Sequence, residues 1–255
     1  MGAPEDVVET LRRAGCVAAE EEAEELWAAA GRRRERVNAL VERRSRGEPL
    51  AWITGRTVFG GVDLAVHPGV YVPRWQSEPM ARQAAELLPN GGRALDLCTG
   101  CGAVAVVLAA RRPAASIIAT DRDETAVACA RANGVDALLG DLDAPVPADW
   151  AGTVDVLTAV APYVPTEEMH LLDRDSRAYE PAAALDGGPG GTRILVEVIG
   201  RAPRWLKPST GVVLVELGGT QAEALAPVLD GVSLAVRQIG RDSEGDVRYL
   251  EAGWA

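Results

Sequence analysis

Apolar residues recur at helical spacing through the first part of the chain. Val7, Val8, Leu11 and Ala14 share one face, residues 18–30 carry a second and residues 37–41 a third, with charged residues between. This spacing predicts a small helical unit over residues 4–46. From Trp52 to Val72 the pattern changes to alternation broken by turn residues. Phe59-Gly60-Gly61-Val62 predicts a hairpin turn, and residues 70–72 a short strand before Pro73. After Glu78 the two periods alternate regularly. Helices are predicted at 80–88, 103–110, 124–133, 192–202 and 221–229. Strands are predicted at 93–97, 116–120, 136–139, 154–160, 211–217, 234–238 and 248–251. Strand–helix alternation of this kind predicts an α/β fold, a mostly parallel sheet covered by helices on both faces. Ligands of such sheets sit at the carboxyl ends of the strands. The division expected is a helical domain at 1–50, a hairpin linker at 51–76 and a ligand-binding α/β domain at 77–255.

Composition narrows the class. The chain has 255 residues, 47% hydrophobic and 25% charged, ordinary for a soluble globular protein. No apolar run approaches the roughly 20 residues that span a bilayer. Glu5, Asp6 and Glu9 replace the basic-then-apolar layout of a signal peptide, so a cytoplasmic protein is expected. The net charge of −11 argues against a broad basic surface for nucleic-acid backbones. It leaves open a protein or small-molecule partner. The run Arg32, Arg33, Arg34 and Arg36 reads as a solvated helix face. Cys98-Thr99-Gly100-Cys101 is a C-x-x-C, but His67 and His170 offer no ligand spacing to complete a metal site, and none is expected.

The strongest chemical signal lies at 94–102, Ala-Leu-Asp-Leu-Cys-Thr-Gly-Cys-Gly. An apolar strand runs into a glycine turn and then a helix. Gly100 and Gly102 would let the backbone approach a ligand that a Cβ excludes. Gly100-x-Gly102-x-x-Ala105 also fits the looser dinucleotide turn. Three acids separate the two. Asp96 precedes the turn, where a carboxylate repels a pyrophosphate but favours the ammonium and sulfonium of S-adenosylmethionine. Asp121 ends the next strand and can accept both ribose hydroxyls. Asp141 follows the third strand, within reach of an adenine amino group. Any one of them alone could be a helix cap. Their recurrence at successive strand ends predicts S-adenosylmethionine. Arg74, Thr99, Arg122, Gly140 and Leu142 flank these turns and complete the expected cofactor set.

The fourth strand runs into Val160-Ala161-Pro162-Tyr163. Here the chain resembles the protein-(glutamine-N5) methyltransferases that modify release factors and a ribosomal protein. Gly47, Pro49, Leu50, Ile53 and Gly55 match that family's linker segment, with Trp52 where Tyr is usual. Val72-Pro73-Arg74 and Glu78 match its Pro-Arg…Thr-Glu segment, with Ser77 for Thr. Glu180-Pro181, Ala184-Leu185 and Asp186-Gly187-Gly188 match a later loop. The resemblance implies a Rossmann-like class I S-adenosylmethionine-dependent methyltransferase domain. It also implies a catalytic set of Val160, Ala161, Pro162, Tyr163 and Glu180.

The family's hallmark at 160–163 is Asn-Pro-Pro-Tyr, or Asn-Ala-Pro-Tyr in some relatives. The Asn side chain and a backbone carbonyl accept the N–H bonds of the target amide, and the Tyr ring packs on its plane. Val160 has no such acceptor. Thr158, two residues earlier, and Glu180 are candidate substitutes. The first reading is therefore methyl transfer to an altered acceptor, or to glutamine through a substitute of this kind; if the acceptor is missing, glutamine in a Gly-Gly-Gln context is expected not to be methylated. The alternatives are intramolecular cleavage or cyclisation of S-adenosylmethionine with release of methylthioadenosine, and binding without catalysis.

Overall fold

The computed structural model describes residues 2–255. Three helices open the chain: α1 (Glu5–Arg13), α2 (Ala19–Ala29) and α3 (Arg34–Ser45). They bury Val7, Leu11, Ala23, Leu26, Trp27, Val37 and Val41 in a core of their own. A short helix, α4 (Leu50–Thr54), follows Pro49 and stops at Gly55, which is left-handed at φ +75. It occupies the start of the segment where alternation predicted extended chain. Its Ile53 joins the N-terminal core, while Ala51 and Trp52 join the core of the sheet domain. This one turn and a half of helix therefore packs on both units.

The hairpin of β1 (Arg56–Phe59) and β2 (Val62–Ala65) is antiparallel and closes through Gly60 and Gly61, both at positive φ. A Cβ on Gly60 would lie 2.7 Å from Val107 Cγ2, so the turn packs directly on a helix of the main domain. Asn133 clamps the hairpin by bonding both the N–H and the carbonyl of Ala65. Residues 70–72 do not form the expected strand. Trp52 Nε1 donates to the Val70 carbonyl at 2.9 Å, and the Val72 N–H donates to Glu180 at 2.9 Å. Side chains have taken the backbone groups a neighbouring strand would need.

The main domain alternates as the periodicity predicts. Its elements are α5 (Glu78–Leu87), β3 (Arg93–Leu97), α6 (Ala103–Arg111), β4 (Ser116–Asp121), α7 (Glu124–Ala132), β5 (Ala137–Leu139) and β6 (Val156–Ala159). After them come α8 (Arg174–Tyr179), α9 (Arg193–Trp205), β7 (Val212–Glu216), α10 (Gln221–Gly231), β8 (Leu234–Arg241) and β9 (Val247–Trp254). The sheet order is β5-β4-β3-β6-β7-β9-β8. Strands β3 to β7 pair in parallel, and β9 inserts antiparallel between β7 and β8. Leu95, Leu97, Leu157, Val213 and Val215 face one core with Leu195, Ile199 and Trp205 of α9. Ala94, Val156, Val212 and Leu214 face the other with Met80, Val104, Val107 and the hairpin. The sheet is thus covered on both faces, the arrangement a Rossmann-like class I methyltransferase domain requires. Strand order reverses between β3 and β6, and the crevice at that point is where such folds bind ligands.

Candidate functional site

A cavity of about 510 Å³ opens where β3, β4 and β6 end. That volume suits a small-molecule cofactor. It has two halves. In the first, β3 leads into a tight turn. Cys98 there is left-handed at φ +56, uncommon for a residue with a Cβ, and a sign of a turn held by its surroundings. Gly100 follows at φ +58, and nothing lies within 4 Å of where its Cβ would be. The backbone is bare toward the cavity, so a ligand can approach it. Gly102 has a different duty. Its Cβ would sit 2.9 Å from Val135 Cγ2 and 3.3 Å from Ala130 Cβ, so it lets α6 pack and lies outside the cavity lining.

Two carboxylates stand behind this turn. Asp96 is 1% exposed and lines the cavity. The hydroxyls of Thr99 and Thr158 donate to it at 2.6 and 2.7 Å. Burial pushes its carboxyl up to about 6, against the pull of those two hydroxyls. Asp121 accepts from the Gly100 N–H at 2.9 Å and the Asp123 N–H at 3.0 Å. These bonds tie the ends of β3 and β4 together. Burial raises its pKa as well. Arg122 is exposed at the rim and also lines the cavity. The thiols of Cys98 and Cys101 are free, and burial pushes Cys98 far up and Cys101 up to about 12. Among the described residues no group of three or more His, Cys, Asp or Glu side chains could hold a metal ion.

The second half is built from 160–163 and what supports it. Val160, Ala161, Pro162 and Tyr163 all line the cavity. The Tyr163 hydroxyl donates to Glu216 Oε1 at 2.7 Å. Glu216 closes β7, the strand beside β6, and is 1% exposed. Burial raises the pKa of both groups. Gln221 Nε2 donates to the Tyr163 carbonyl at 2.8 Å and to the Gly190 carbonyl at 3.1 Å. Gly187 passes so close beneath the loop that a Cβ would lie 2.6 Å from the Pro162 carbonyl oxygen. Tyr71, Arg74, Gln76, Asp173 and Arg248 also line the cavity, with Arg74 paired to Glu180 and Arg248 to Asp242 and Asp246. The Arg74 guanidinium lies 5.0 Å from the Tyr71 ring centre, and that of Arg248 lies 5.3 Å from Trp75.

Several residues expected at the site stand elsewhere. Gly140, Asp141 and Leu142 are outside the cavity lining. Gly140 packs against Pro145, Leu142 is buried in the sheet core, and exposed Asp141 faces Arg201 at 3.7 Å. Two residues beyond the end of edge strand β5, the chain has already turned away. Glu180 also lies outside this cavity. Its carboxylate is occupied by the Val72 N–H and by Arg74 at 2.5 Å. Thr158 is fully buried, and its hydroxyl is spent on Asp96. Neither substitute therefore presents a free acceptor beside Val160. Conversely, Tyr71, Glu216, Gln221 and Arg248 escaped the sequence reading. Glu216 carried a signal: it is the one charged residue closing the otherwise apolar strand Val212–Glu216.

The methyltransferase small domain family model matches residues 63–142. The release factor glutamine methyltransferase of Geobacter sulfurreducens is 35% identical over 192 residues, covering 73% of this chain and 66% of that protein. The protein of the same name from Mycobacterium tuberculosis is 34% identical over 228 residues, 85% of this chain and 74% of its own. The chain spans between 61% and 66% of the lengths of the relatives from Geobacter sulfurreducens, Mycolicibacterium smegmatis and Mycobacterium leprae. In fold, a methyltransferase from Pyrococcus furiosus superposes with a TM-score of 0.54 at 22% identity, covering 75% of this chain and 88% of that one. A ribosomal protein L11 methylase from Lactobacillus delbrueckii gives 0.52 at 17%, with 74% and 83% covered. With a glycine turn, two strand-end carboxylates and a tyrosine loop in one cavity, and this level of identity along most of its length, the chain belongs to the release factor glutamine methyltransferase family.

Proposed function

We propose that the protein is an S-adenosylmethionine-dependent methyltransferase whose acceptor differs from the glutamine amide. One observation carries this reading. The bare backbone at Gly100, held by Asp121, shares a single cavity with the loop 160–163. The residues present fit S-adenosylmethionine. Asp121 would accept from the ribose hydroxyls, and Asp96 would face the ammonium end. Bound there, the molecule supplies a methyl group already activated on a sulfonium. The chain's own contribution is positional. Glu216 fixes the Tyr163 ring, Gln221 locks the loop carbonyl, and the acceptor would lie on that ring beside Val160. The Val160 side chain cannot accept an N–H, so the orientation that family members give an amide nitrogen is absent on the side-chain side. The N-terminal unit of residues 1–50 reaches the same side through Arg44, which bonds Asp175 of α8, and would border the incoming acceptor. No helix among the described residues is long and apolar enough to cross a membrane. A cytoplasmic site of action and a protein or small-molecule acceptor, rather than a nucleic acid, agree with the charge of −11.

The test is direct. Calorimetry should show one S-adenosylmethionine bound, and incubation with it alone should leave it intact. Accumulation of methylthioadenosine would overturn methyl transfer in favour of cleavage. The charge state of Asp96 gives a second expectation. A cationic ligand favours the carboxylate, so binding lowers a pKa that burial has raised to about 6. Binding at pH 6 should therefore release about half a proton, falling toward none at pH 8. Affinity should weaken as pH falls below that value. Heats measured in buffers of different ionisation enthalpy report the release, and proton uptake at pH 6 would remove Asp96 from the ligand's surroundings.

A further inference from the structure

The larger charges around the acceptor half of the cavity are engaged with one another. Arg74 pairs with Glu180 at 2.5 Å, Arg248 pairs with Asp242 and Asp246, and Glu216 holds the Tyr163 hydroxyl. The groups left free are of another kind. Among the described residues nothing bonds the Tyr71 hydroxyl, the Gln76 amide or the Asp173 carboxylate, and all three side chains line the cavity. Gln76 Oε1 is buried without a partner, and Asp173 is exposed at the rim. Tyr71 is the one held in place by a neighbour, with the Arg74 guanidinium 5.0 Å from its ring centre. Its hydroxyl is not sealed in the protein and so opens on the cavity. Glu216 helps raise the pKa of this phenol, and Tyr71 helps raise that of Tyr163, so the three groups stand together. A phenol oxygen can accept a hydrogen as well as donate one. The free side-chain acceptors nearest the tyrosine loop in this half therefore come from Tyr71 and Gln76, while Val160 supplies none.

An amide carries its hydrogens on the nitrogen that reacts, and needs acceptors beside that nitrogen. A neutral imidazole separates the two duties. One ring nitrogen has a bare lone pair, and the other carries the N–H. We infer that the methyl acceptor is the imidazole of a histidine, its bare nitrogen beside Val160 and its N–H accepted by the Tyr71 hydroxyl. The inference rests on the methyltransferase reading above. A flat ring also suits a place against the Tyr163 ring. The lone pair of the bare nitrogen forms a bond to the methyl carbon, the carbon–sulfur bond breaks, and its electron pair stays on sulfur. The positive charge passes from the sulfonium to the imidazole, and S-adenosylhomocysteine leaves. The methylated ring then gives its N–H proton to water. The reacting nitrogen has no hydrogen to be held, so a valine at 160 costs nothing. As the ring becomes cationic its N–H donates more strongly, and the bond to Tyr71 strengthens in the transition state. Asp173 at the rim favours the same developing charge. Tyr71 is thus a positioning residue that selects the acceptor.

The test uses two peptides that differ in one residue, one ending in Gly-Gly-His and one in Gly-Gly-Gln, each acetylated and amidated at its ends. S-adenosylmethionine carries a labelled methyl group. The histidine peptide should be methylated with kcat/KM at least about tenfold above the glutamine peptide. Acid hydrolysis should leave the label on histidine, whereas a methylated amide would release it as methylamine. Tyr71→Phe removes only the hydroxyl. It should lower kcat on the histidine peptide about tenfold, with KM little changed. Affinity for S-adenosylmethionine and thermal unfolding should stay as they are, because that hydroxyl bonds nothing in the protein. Val160→Asn should slow histidine methylation too, since its amide can donate to the bare nitrogen and hold the lone pair. Preference for the glutamine peptide, label released as methylamine, an undiminished kcat in Tyr71→Phe, or no methylation of either peptide by protein that binds S-adenosylmethionine would each overturn the proposal. Failure to bind S-adenosylmethionine would instead defeat the methyltransferase reading beneath it.

Discussion

Asp121→Ala is expected to weaken S-adenosylmethionine binding by about 1.5–3 kcal/mol, roughly ten- to a hundred-fold in Kd. Two losses combine. The carboxylate at the end of β4 is the partner proposed for the ribose hydroxyls, and charged hydrogen bonds of this kind are the stronger ones. The same carboxylate holds the N–H groups of Gly100 and Asp123. Removing it leaves those donors without a partner and frees the turn that the ligand approaches. Asp121→Asn separates the two. Its amide oxygen can still accept from one of the backbone donors, but it brings no charge and can accept less from the ribose. Asn should therefore recover stability more fully than affinity. Calorimetry and thermal unfolding on both variants make the comparison. Unchanged affinity in Asp121→Ala would remove Asp121 from the site.

The glycine-turn half of the candidate site was legible as a cluster because its signals are local. A strand, a glycine turn and an acid at the next strand end lie within residues 94–121, and parallel pairing of β3 with β4 brings them together in register. The fold class followed from the same periodicity. Asp141 lies outside the cavity lining. It also follows a strand, but β5 is a three-residue edge strand, and the chain after it turns toward Arg201. The acceptor half was legible only in its loop, 160–163. Its support comes from far along the chain: Glu216 through β7, and Arg248 through the insertion of β9 beside β7. That insertion pairs Glu216 with Tyr249, which sets Arg248 at the cavity. No local pattern announces such a meeting. The missing strand at 70–72 has a similar origin. Its β-rich composition is real, but Trp52 and Glu180 capture its backbone groups from outside the segment.

Gly191→Ala should reduce methyl transfer by about a hundred-fold or more while leaving the affinity for S-adenosylmethionine nearly intact. Gly191 is left-handed at φ +71, and a Cβ there would fall on the Tyr163 carbonyl oxygen and crowd Gln221 Nε2. The conformation alone costs an alanine about 1–2 kcal/mol. The contact adds a displacement that neither partner can absorb cheaply. The Tyr163 carbonyl is backbone, and Gln221 is held by bonds to Tyr163, Gly190 and Gly218. The loop carrying Val160 and Tyr163 must move, and a misplacement of about 1 Å at a reacting centre costs on the order of a hundred-fold in rate. The donor half, built on β3 and β4, does not touch this glycine and should bind as before. Gly190→Ala is the matched control. Gly190 is also left-handed, at φ +64, but nothing lies within 4 Å of its Cβ position. It carries the same backbone strain without the collision. Its variant should lose about 1–2 kcal/mol of stability and keep most of its turnover. Rates on the peptide that the unaltered protein methylates, read beside thermal unfolding, decide the matter. Equal loss of activity in both variants would mean that backbone strain, not the approach to Tyr163, is responsible.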